Sequence, residues 1–148
     1  MEKMQIVVRD FEELKELFPA WSVVYVRIKD TAFPSEQWTD ATSSVLVMWM
    51  NAAYRMVCGI TNEILLPFMD GEYSIKMVLF SEEVALVSCI APNNISVINT
   101  QVGLKYFCRQ MIAAASKLTR HYSNSIQSEQ ILEVCATAEK LRAALRTE

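Results

Sequence analysis

The sequence has few of the residues that interrupt regular structure. Of 148 residues only 3 are glycine and 4 are proline, whereas 52% are hydrophobic and 21% are charged. This composition argues against intrinsic disorder and against a flexible linker. A chain of this length can bury roughly two thirds of the surface that its unfolded form exposes. We therefore expect a single domain over residues 1–148.

Residues that carry chemistry are also scarce. His121 is the only histidine, and the four cysteines, Cys58, Cys89, Cys108 and Cys135, include no C-x-x-C pair. This spacing suggests neither a zinc site nor a disulfide framework. The sequence also lacks a P-loop, a dinucleotide-binding G-x-G-x-x-G and a G-x-S-x-G nucleophile motif. We expect no catalytic residue, no metal and no cofactor, and reduced, mostly buried thiols.

A long hydrophobic run is missing as well. The longest mostly apolar run, Val45–Met50, is far shorter than the ~20 residues of a membrane-spanning helix. Met1–Asp10 carries charges where a secretory signal would need an apolar stretch. These two observations predict a cytoplasmic protein without a membrane segment.

The first third of the chain predicts two strands with a short helix between them. Gln5–Val8 is of β type, and Asp10 followed by Glu13 is a variant of the capping box that begins a helix. Four apolar residues then recur at helical spacing, and Pro19 ends the helix near the last of them: Phe11, Leu14, Leu17 and Phe18. The alternating, β-branched segment Trp21–Ile28 predicts a strand.

The middle of the chain predicts a central helix followed by an antiparallel meander. Ala41–Cys58 has apolar residues at helical spacing, and Gly59 follows as a left-handed cap. A hairpin is predicted for Glu63–Met69 and Tyr73–Phe80 around a two-residue Asp70-Gly71 turn. Two further strands are predicted at Val84–Ile90 and Ile95–Thr100.

The end of the chain predicts two helices. One begins at Leu104 and runs to about Tyr122, and the other follows Ser128 as a candidate cap. The predicted fold class is therefore α+β, with an antiparallel sheet packed by the central helix and the two C-terminal helices.

Acidic residues are concentrated in one stretch. Between Asp30 and Tyr73 there are six acidic residues and one basic residue, Arg55, so the rest of the chain is net positive. Such a patch repels nucleic acid and attracts a basic protein surface. The candidate partner-binding residues are Asp30, Glu36, Trp38, Asp70 and Glu72. The alternative is that these are solvated loop residues, with Asp40 only a helix cap and Asp70 only a turn residue.

Two tryptophans need separate interpretations. Trp38 lies in a loop, where a large ring is either an inward anchor or an exposed interface residue. Trp49 lies in the centre of an apolar helical stripe, so we expect it in the core.

Two motifs flank the central helix. The first is Phe33-Pro34-x-x-x-Trp38-x-Asp40, and the second is Phe68-Met69-Asp70-Gly71-x-Tyr73. Together with an apolar helix that contains Trp49, this arrangement resembles bacterial immunity proteins of contact-dependent growth inhibition and related polymorphic toxin systems. The chain departs from the family pattern at Glu72, where proline is frequent, and in lacking a second tryptophan beside Trp49.

The resemblance implies a cytoplasmic protein that neutralises a cognate toxin domain, most simply a nuclease, by stoichiometric occlusion. An acidic inhibitor surface can imitate the phosphates that a nuclease cleft holds. Docking of an acidic toxin surface on the C-terminal helices, through Arg109, Lys117 and Arg120, is the alternative geometry. The oligomeric state is left open.

Two functions of other classes are kept as alternatives. An acidic, dimeric secretion chaperone that holds an extended effector segment is compatible with the 8 methionines, because flexible thioether side chains suit adaptable surfaces. A small cysteine hydrolase would have to use His121 as its base. Full activity after His121→Ala would exclude the hydrolase.

Overall fold

The computed structural model describes residues 1–15, 18–123 and 128–146 and shows an α+β fold. Within these ranges, three α-helices, α1 (Thr42–Val57), α2 (Leu104–His121) and α3 (Glu129–Arg146), accompany eight strands and a short 3-10 helix at Pro92–Asn94. The strands are β1 (Met4–Arg9), β2 (Ser22–Ile28), β3 (Thr31–Phe33), β4 (Thr39–Asp40), β5 (Glu63–Pro67), β6 (Ser74–Leu79), β7 (Val84–Ala91) and β8 (Ile95–Gly103).

The strands form two antiparallel sheets. In the first, β2 pairs with β1 on one side and with β3 and β4 on the other. The second is the predicted meander in the order β5-β6-β7-β8. The N-terminal strands therefore build a sheet of their own. Its central strand, β2, is buried along nearly its whole length, including Val24 and Val26.

The helices connect the two sheets through one hydrophobic core. Helix α1 packs against β5, β2 and the other two helices, α2 packs against β1 and β8, and α3 packs on α1 and α2. The buried cluster includes residues of both sheets and of all three helices. The buried residues of α1, including Val45, Leu46, Trp49 and Met50, lie on one broad side of the helix. The prediction that α1 is covered on more than one face is wrong for Met48, which is 37% exposed on the other side.

The end of α1 follows the predicted glycine cap. Gly59 has a φ of 75°, its N–H donates to the Met56 carbonyl at 3.1 Å, and the Ile60 N–H donates to the Arg55 carbonyl at 2.9 Å. This pair of bonds is the Schellman motif, which satisfies carbonyl groups that the last helical turn leaves unpaired.

The helix predicted over residues 11–18 is wrong for its described part. Phe11 to Lys15 form no helix, Asp10 has a φ of 55°, and the Glu12 N–H donates to the Trp21 carbonyl at 2.9 Å. Phe11 packs on the His121 ring, with centroids 4.6 Å apart, so tertiary contacts override the local helical pattern. Phe18 is exposed, and Leu17 lies outside the described residues.

The β5–β6 hairpin is confirmed, but its two-residue turn is wrong. The strands end at Pro67 and resume at Ser74, so six residues connect them. We call this connection, Phe68–Tyr73, the tip. Gly71 is not among the residues with positive φ, and the tip follows a path set by its hydrogen bonds to Asp40.

The four cysteines all lie within the described residues and form no disulfide, and their burial is mixed. Cys89 and Cys108 are buried as expected, Cys135 is half-buried and Cys58 is exposed at the end of α1.

Candidate partner-binding site

Asp40 is the buried centre of the region that carries both motifs. It is fully buried in β4, directly before α1. Its Oδ1 accepts the Ala41 N–H at 2.7 Å. Its Oδ2 accepts the Trp38 indole N–H at 2.9 Å and the Met69 N–H at 2.9 Å, with the Asp70 N–H at 3.2 Å. Four donors therefore compensate a charge that burial alone would disfavour.

This arrangement corrects the interpretation of Asp40 as a helix cap. The residue at the capping position of α1 is Ala41, and no side chain there bonds to a helix N–H. The start of α1 is fixed instead by hydroxyl groups, since Ser22 and Thr42 share a hydrogen bond of 2.6 Å and Ser43 Oγ accepts the Ala20 N–H at 2.9 Å. The carboxylate of Asp40 is thus free to hold the tip against the loop that contains Trp38.

Aromatic rings of both motifs pack into one cluster above α1. Trp38 meets Tyr73 edge to face with centroids 5.0 Å apart, and Phe33 meets Phe68 at 6.0 Å. Trp49 joins the cluster from the helix, at 5.1 Å from Phe68, and its indole N–H donates to the Pro67 carbonyl at 2.8 Å. Such ring pairs add stability beyond the area they bury. The two motifs therefore form one structural unit.

The tip lies on the half-buried ring of Trp38. A Cβ added at Gly71 would approach Trp38 Cη2 to 2.8 Å, so only glycine allows this contact without a shift. Met69, Asp70, Gly71 and Glu72 are exposed around it. Trp38 is thus both an anchor for the tip and a partly accessible part of the surface.

The remaining two candidate residues lie beside basic groups. Glu36 is exposed, with its carboxylate 3.6 Å from Arg27, and Arg9 donates to the Glu36 carbonyl. The pKa of Arg27 is raised above its ordinary value, chiefly by a 3.1 Å hydrogen bond to Tyr25 and by the electrostatic interaction with the Tyr25 hydroxyl group. The negative charges of Glu36 and Asp30 make smaller contributions in the same direction. The acids of this loop are therefore accompanied by two cations.

Of the four acidic candidate residues, three lie in the tip or in the loop that contains Trp38, whereas Asp30 lies beyond the far end of β2 from the Val24–Trp38 contact. Asp70 and Glu72 belong to the tip, which the Trp38 ring touches. Glu36 lies in the loop that the Trp38 N–H closes by a 3.2 Å bond to the Ser35 carbonyl, and Asp30 lies in the turn between β2 and β3. The structural role of Asp40 was not predicted, although the Trp-x-Asp spacing places both side chains on one side of an extended segment.

Other candidate chemistry does not converge on this region. No group of three or more His, Cys, Asp or Glu side chains suited to a metal ion occurs among the described residues. The exposed His121 stacks on Phe11 and meets Tyr122 edge to face. Within the described ranges, no helix combines the length and apolar character needed to cross a membrane.

The C-terminal helices hold a separate groove. It has a volume of about 610 Å³, and its charged lining residues are Arg120, Glu139 and Arg142. Arg142 forms an ion pair with Glu139, so part of the positive charge of this groove is neutralised.

Comparisons of the chain with protein-family models, with curated proteins and with solved structures found no match.

Proposed function

We propose that this chain is an immunity protein that binds a cognate toxin domain, most simply a nuclease, and occludes its working surface. The observation that supports the proposal is the unit centred on Asp40, in which both motifs of the family resemblance meet. A rigid tip that presents acids and the exposed Met69 suits a partner with a basic cleft and an apolar rim. The proposal assigns the chain neither an enzymatic role nor direct binding of nucleic acid.

The mechanism follows from rigidity and charge. The carboxylate of Asp40 and the aromatic cluster order the tip before binding, so little entropy is lost when a partner docks on it. The exposed acids Asp70 and Glu72 in the tip and Glu36 in the Trp38 loop, with Asp30 as an outer member, supply the negative potential that steers a basic surface. The Arg27 guanidinium neutralises part of the Glu36 charge, so the tip acids contribute more of this potential than Glu36 does.

The test begins with the neighbouring gene. A large secreted protein encoded next to this chain, ending in a variable C-terminal domain, supplies the candidate toxin. Co-expression should protect cells from that domain, and the purified pair should form a stoichiometric complex. Failure of the chain to bind or to protect would contradict the proposal, and an operon of secreted effectors would favour the chaperone.

The binding surface is tested with two matched double variants. Glu36→Lys/Glu72→Lys should slow association with the toxin and make the remaining binding less sensitive to salt, because rim charges act mainly on the association rate. Arg109→Glu/Lys117→Glu changes the charge of α2 by the same amount in the opposite sense and is the control. If only the control pair loses affinity, the toxin binds the C-terminal helices and the acidic surface is the wrong site.

The methionine argument for the secretion-chaperone alternative is weakened by the structure. Of the eight methionines, Met4, Met50, Met56, Met77 and Met111 are buried, so most of them fill the core. The two functions separate by the state of the partner: an immunity protein binds a folded domain, whereas a chaperone binds an extended segment.

A further inference from the structure

Helix α2 carries charge of one sign only. It contains no aspartate or glutamate, and its four lysine and arginine residues are Lys105, Arg109, Lys117 and Arg120. Within residues 1–15, 18–123 and 128–146, no ion pair involves Arg109, Lys117 or Arg120, and all three are exposed. The described part of the chain therefore leaves the positive charge of these three residues without a counterion.

This basic side of α2 borders the groove between α2 and α3, which is open to solvent and has a volume of about 610 Å³. The floor of the groove consists of small side chains from both helices, the buried Ala115 and Ala138 and the half-buried Cys135. Exposed Ala113 and half-buried Ser116 continue the lining on α2. Because the distance between packed helices depends on the side chains at the contact, these small residues let another helix come close.

The two arginines of the groove lie at its opposite ends. Thr119 Oγ1 and Cys135 Sγ are 3.5 Å apart, so the last turn of α2 is level with the second turn of α3, and the helices run antiparallel. Arg142 follows Cys135 by seven residues and is therefore level with Ile112, eight residues before Arg120. At 1.5 Å per residue, the two arginine positions are about 12 Å apart along the groove.

This spacing matches the repeat of a helix. Two residues seven or eight positions apart lie on one side of an α-helix and are about 10.5 to 12 Å apart. Carboxylates at two such positions can therefore meet Arg120 and Arg142, with small or apolar residues between them on the alanine floor. Arg142 also pairs with Glu139, so Arg120 supplies more of the attraction.

Other anionic partners match the groove less well. Single-stranded nucleic acids are held by bases stacked on aromatic rings, and the described residues that line the groove include no aromatic side chain. Glu139 in the groove and the exposed Glu133 on α3 also repel phosphates. A lipid surface binds large apolar side chains beside basic ones, whereas the apolar lining of this groove is mainly alanine.

We propose that the groove between α2 and α3 is a docking site for an acidic amphipathic helix of a partner protein, with Arg120 and Arg142 as the contacts at its two ends. The inference goes beyond the proposed function and does not rest on it. The tip presents acids to a basic partner, and such a partner is repelled by α2. The two surfaces therefore take different molecules.

The test uses the full chain and a fluorescein-labelled peptide as the probe. The peptide is an alanine-rich helix of about 18 residues with two glutamates eight positions apart, a length at which isolated helices form. At physiological salt its fluorescence anisotropy should rise as the chain is added, with a dissociation constant below about 1 mM. The same peptide with two lysines in place of the glutamates should not bind.

Two variants of α2 probe the groove itself. Arg120→Glu should raise the dissociation constant at least about tenfold, because it brings like charges together. Ala113→Trp should weaken binding to a similar extent by filling the groove without a change of charge. Both side chains are exposed, so the fold is kept, and circular dichroism checks this. If one variant fails to fold, the other still tests the site.

Lys117→Glu is the matched control, because it makes the same change of charge on the same helix but outside the groove lining. It should change the dissociation constant by no more than about twofold, since salt screens an exposed charge that does not touch the peptide. The bound peptide should slow alkylation of Cys135 and leave that of Cys58 unchanged. Glu72→Lys in the tip should leave peptide binding unchanged, which separates this result from the fate of the proposed function.

Three results would overturn the proposal. One is a peptide that does not bind at concentrations up to about 1 mM. Another is an equal loss of affinity in Arg120→Glu and Lys117→Glu, which would show general attraction between opposite charges. The third is binding of a single-stranded oligonucleotide, but not of the peptide, that Arg120→Glu abolishes, which would assign the groove to a nucleic acid instead.

Discussion

Asp40 illustrates how one side chain can hold two distant segments together. Its carboxylate accepts hydrogen bonds from residues that are up to 30 positions away in sequence, and it is fully buried. Removing such an acceptor leaves several buried donors without a partner, and each unpaired group costs about 1 to 3 kcal/mol. The contribution of Asp40 is therefore to stability first and, under the proposed function, to binding through the position of the tip.

Asp40→Ala should lower the free energy of unfolding by about 3 kcal/mol or more, as measured by urea denaturation. Asp70→Ala is the matched control, because Asp70 is exposed and contributes its backbone N–H, which alanine retains. We expect a change within about 0.5 kcal/mol for the control. Equal losses in the two variants would contradict the role assigned to Asp40.

The cysteines should differ sharply in reactivity. Cys58 is exposed, whereas burial raises the pKa of the Cys89 thiol from its ordinary 9.0 to about 12, so Cys89 stays protonated and inert. A thiol-specific reagent should modify Cys58 first in the native protein and reach Cys89 only on unfolding. Mass spectrometry of digested, labelled protein identifies the modified cysteines. The variant Cys58→Ser should lack the fast phase of thiol labelling. Early labelling of Cys89 would show that β7 is not covered as described.

The same thiol predicts a loss of stability in alkali. The neutral form of Cys89 is favoured in the folded state, and the unfolded chain loses this proton near pH 9. The stabilisation is complete below pH 9 and falls as the pH rises toward 12, by up to about 1.4 kcal/mol per pH unit for one proton. Burial also raises the pKa of Tyr122, with the same sign. Urea denaturation of Cys89→Ala should show a shallower alkaline decline than wild type, and parallel declines would contradict this account.

At the scale of single elements, two glycines have different tasks. Gly59 takes a φ of 75° and has open space around its missing Cβ, so its role is conformational. Gly71 needs no positive φ but lies against Trp38, so its role is steric. A sequence pattern alone does not distinguish the two, because it predicts positive φ for both: in a helix cap at Gly59 and in a two-residue turn at Asp70-Gly71.

Gly59→Ala should cost about 1 kcal/mol in the free energy of unfolding and leave the indole N–H resonance of Trp38 in place. Gly71→Ala should shift that resonance in a ¹H–¹⁵N correlation spectrum, since the new methyl group displaces the ring. An unchanged Trp38 signal in Gly71→Ala would mean that the tip does not rest on this ring.

Elements with a strong period were predictable from the sequence. The apolar residues that recur at helical spacing in α2, among them Leu104, Phe107, Met111 and Leu118, are buried. The meander of β5 to β8 has the expected order. The segment after Asp10 was not predictable, because its apolar residues pack on α2 and the core as a non-helical chain. The length of the tip was not predictable for a similar reason. The Asp70-Gly71 pair indicates a turn from local sequence only, whereas the backbone path of the tip is set by its hydrogen bonds to Asp40.

At the scale of the whole molecule, the unexpected feature is that two sheets share one core. Strand pairing of the N-terminal segment is a long-range property, and a sequence pattern shows strand type but not the partner strand. The site has the same limitation. Its candidate residues were chosen one by one from the sequence and stay a prediction, whereas the contact of Trp38 with the tip and the presence of Arg27 and Arg9 beside Glu36 depend on the fold.

One core for both sheets predicts a single unfolding transition. Leu46 in α1 is fully buried in the cluster that joins both sheets, so Leu46→Ala should cost about 2 to 5 kcal/mol. Circular dichroism and tryptophan fluorescence should shift to the same lower urea midpoint. Two separate transitions would mean that the sheets unfold independently.

The hydrogen bonds by which Asp40 holds the tip have a consequence for the evolution of the tip sequence. It holds Met69 and Asp70 by their backbone N–H groups, which every amino acid except proline possesses. The side chains at these two positions can therefore change freely while the loop keeps its shape. Under the proposed function, substitutions at Met69 and Asp70 can therefore change which partner is bound while the fold is kept.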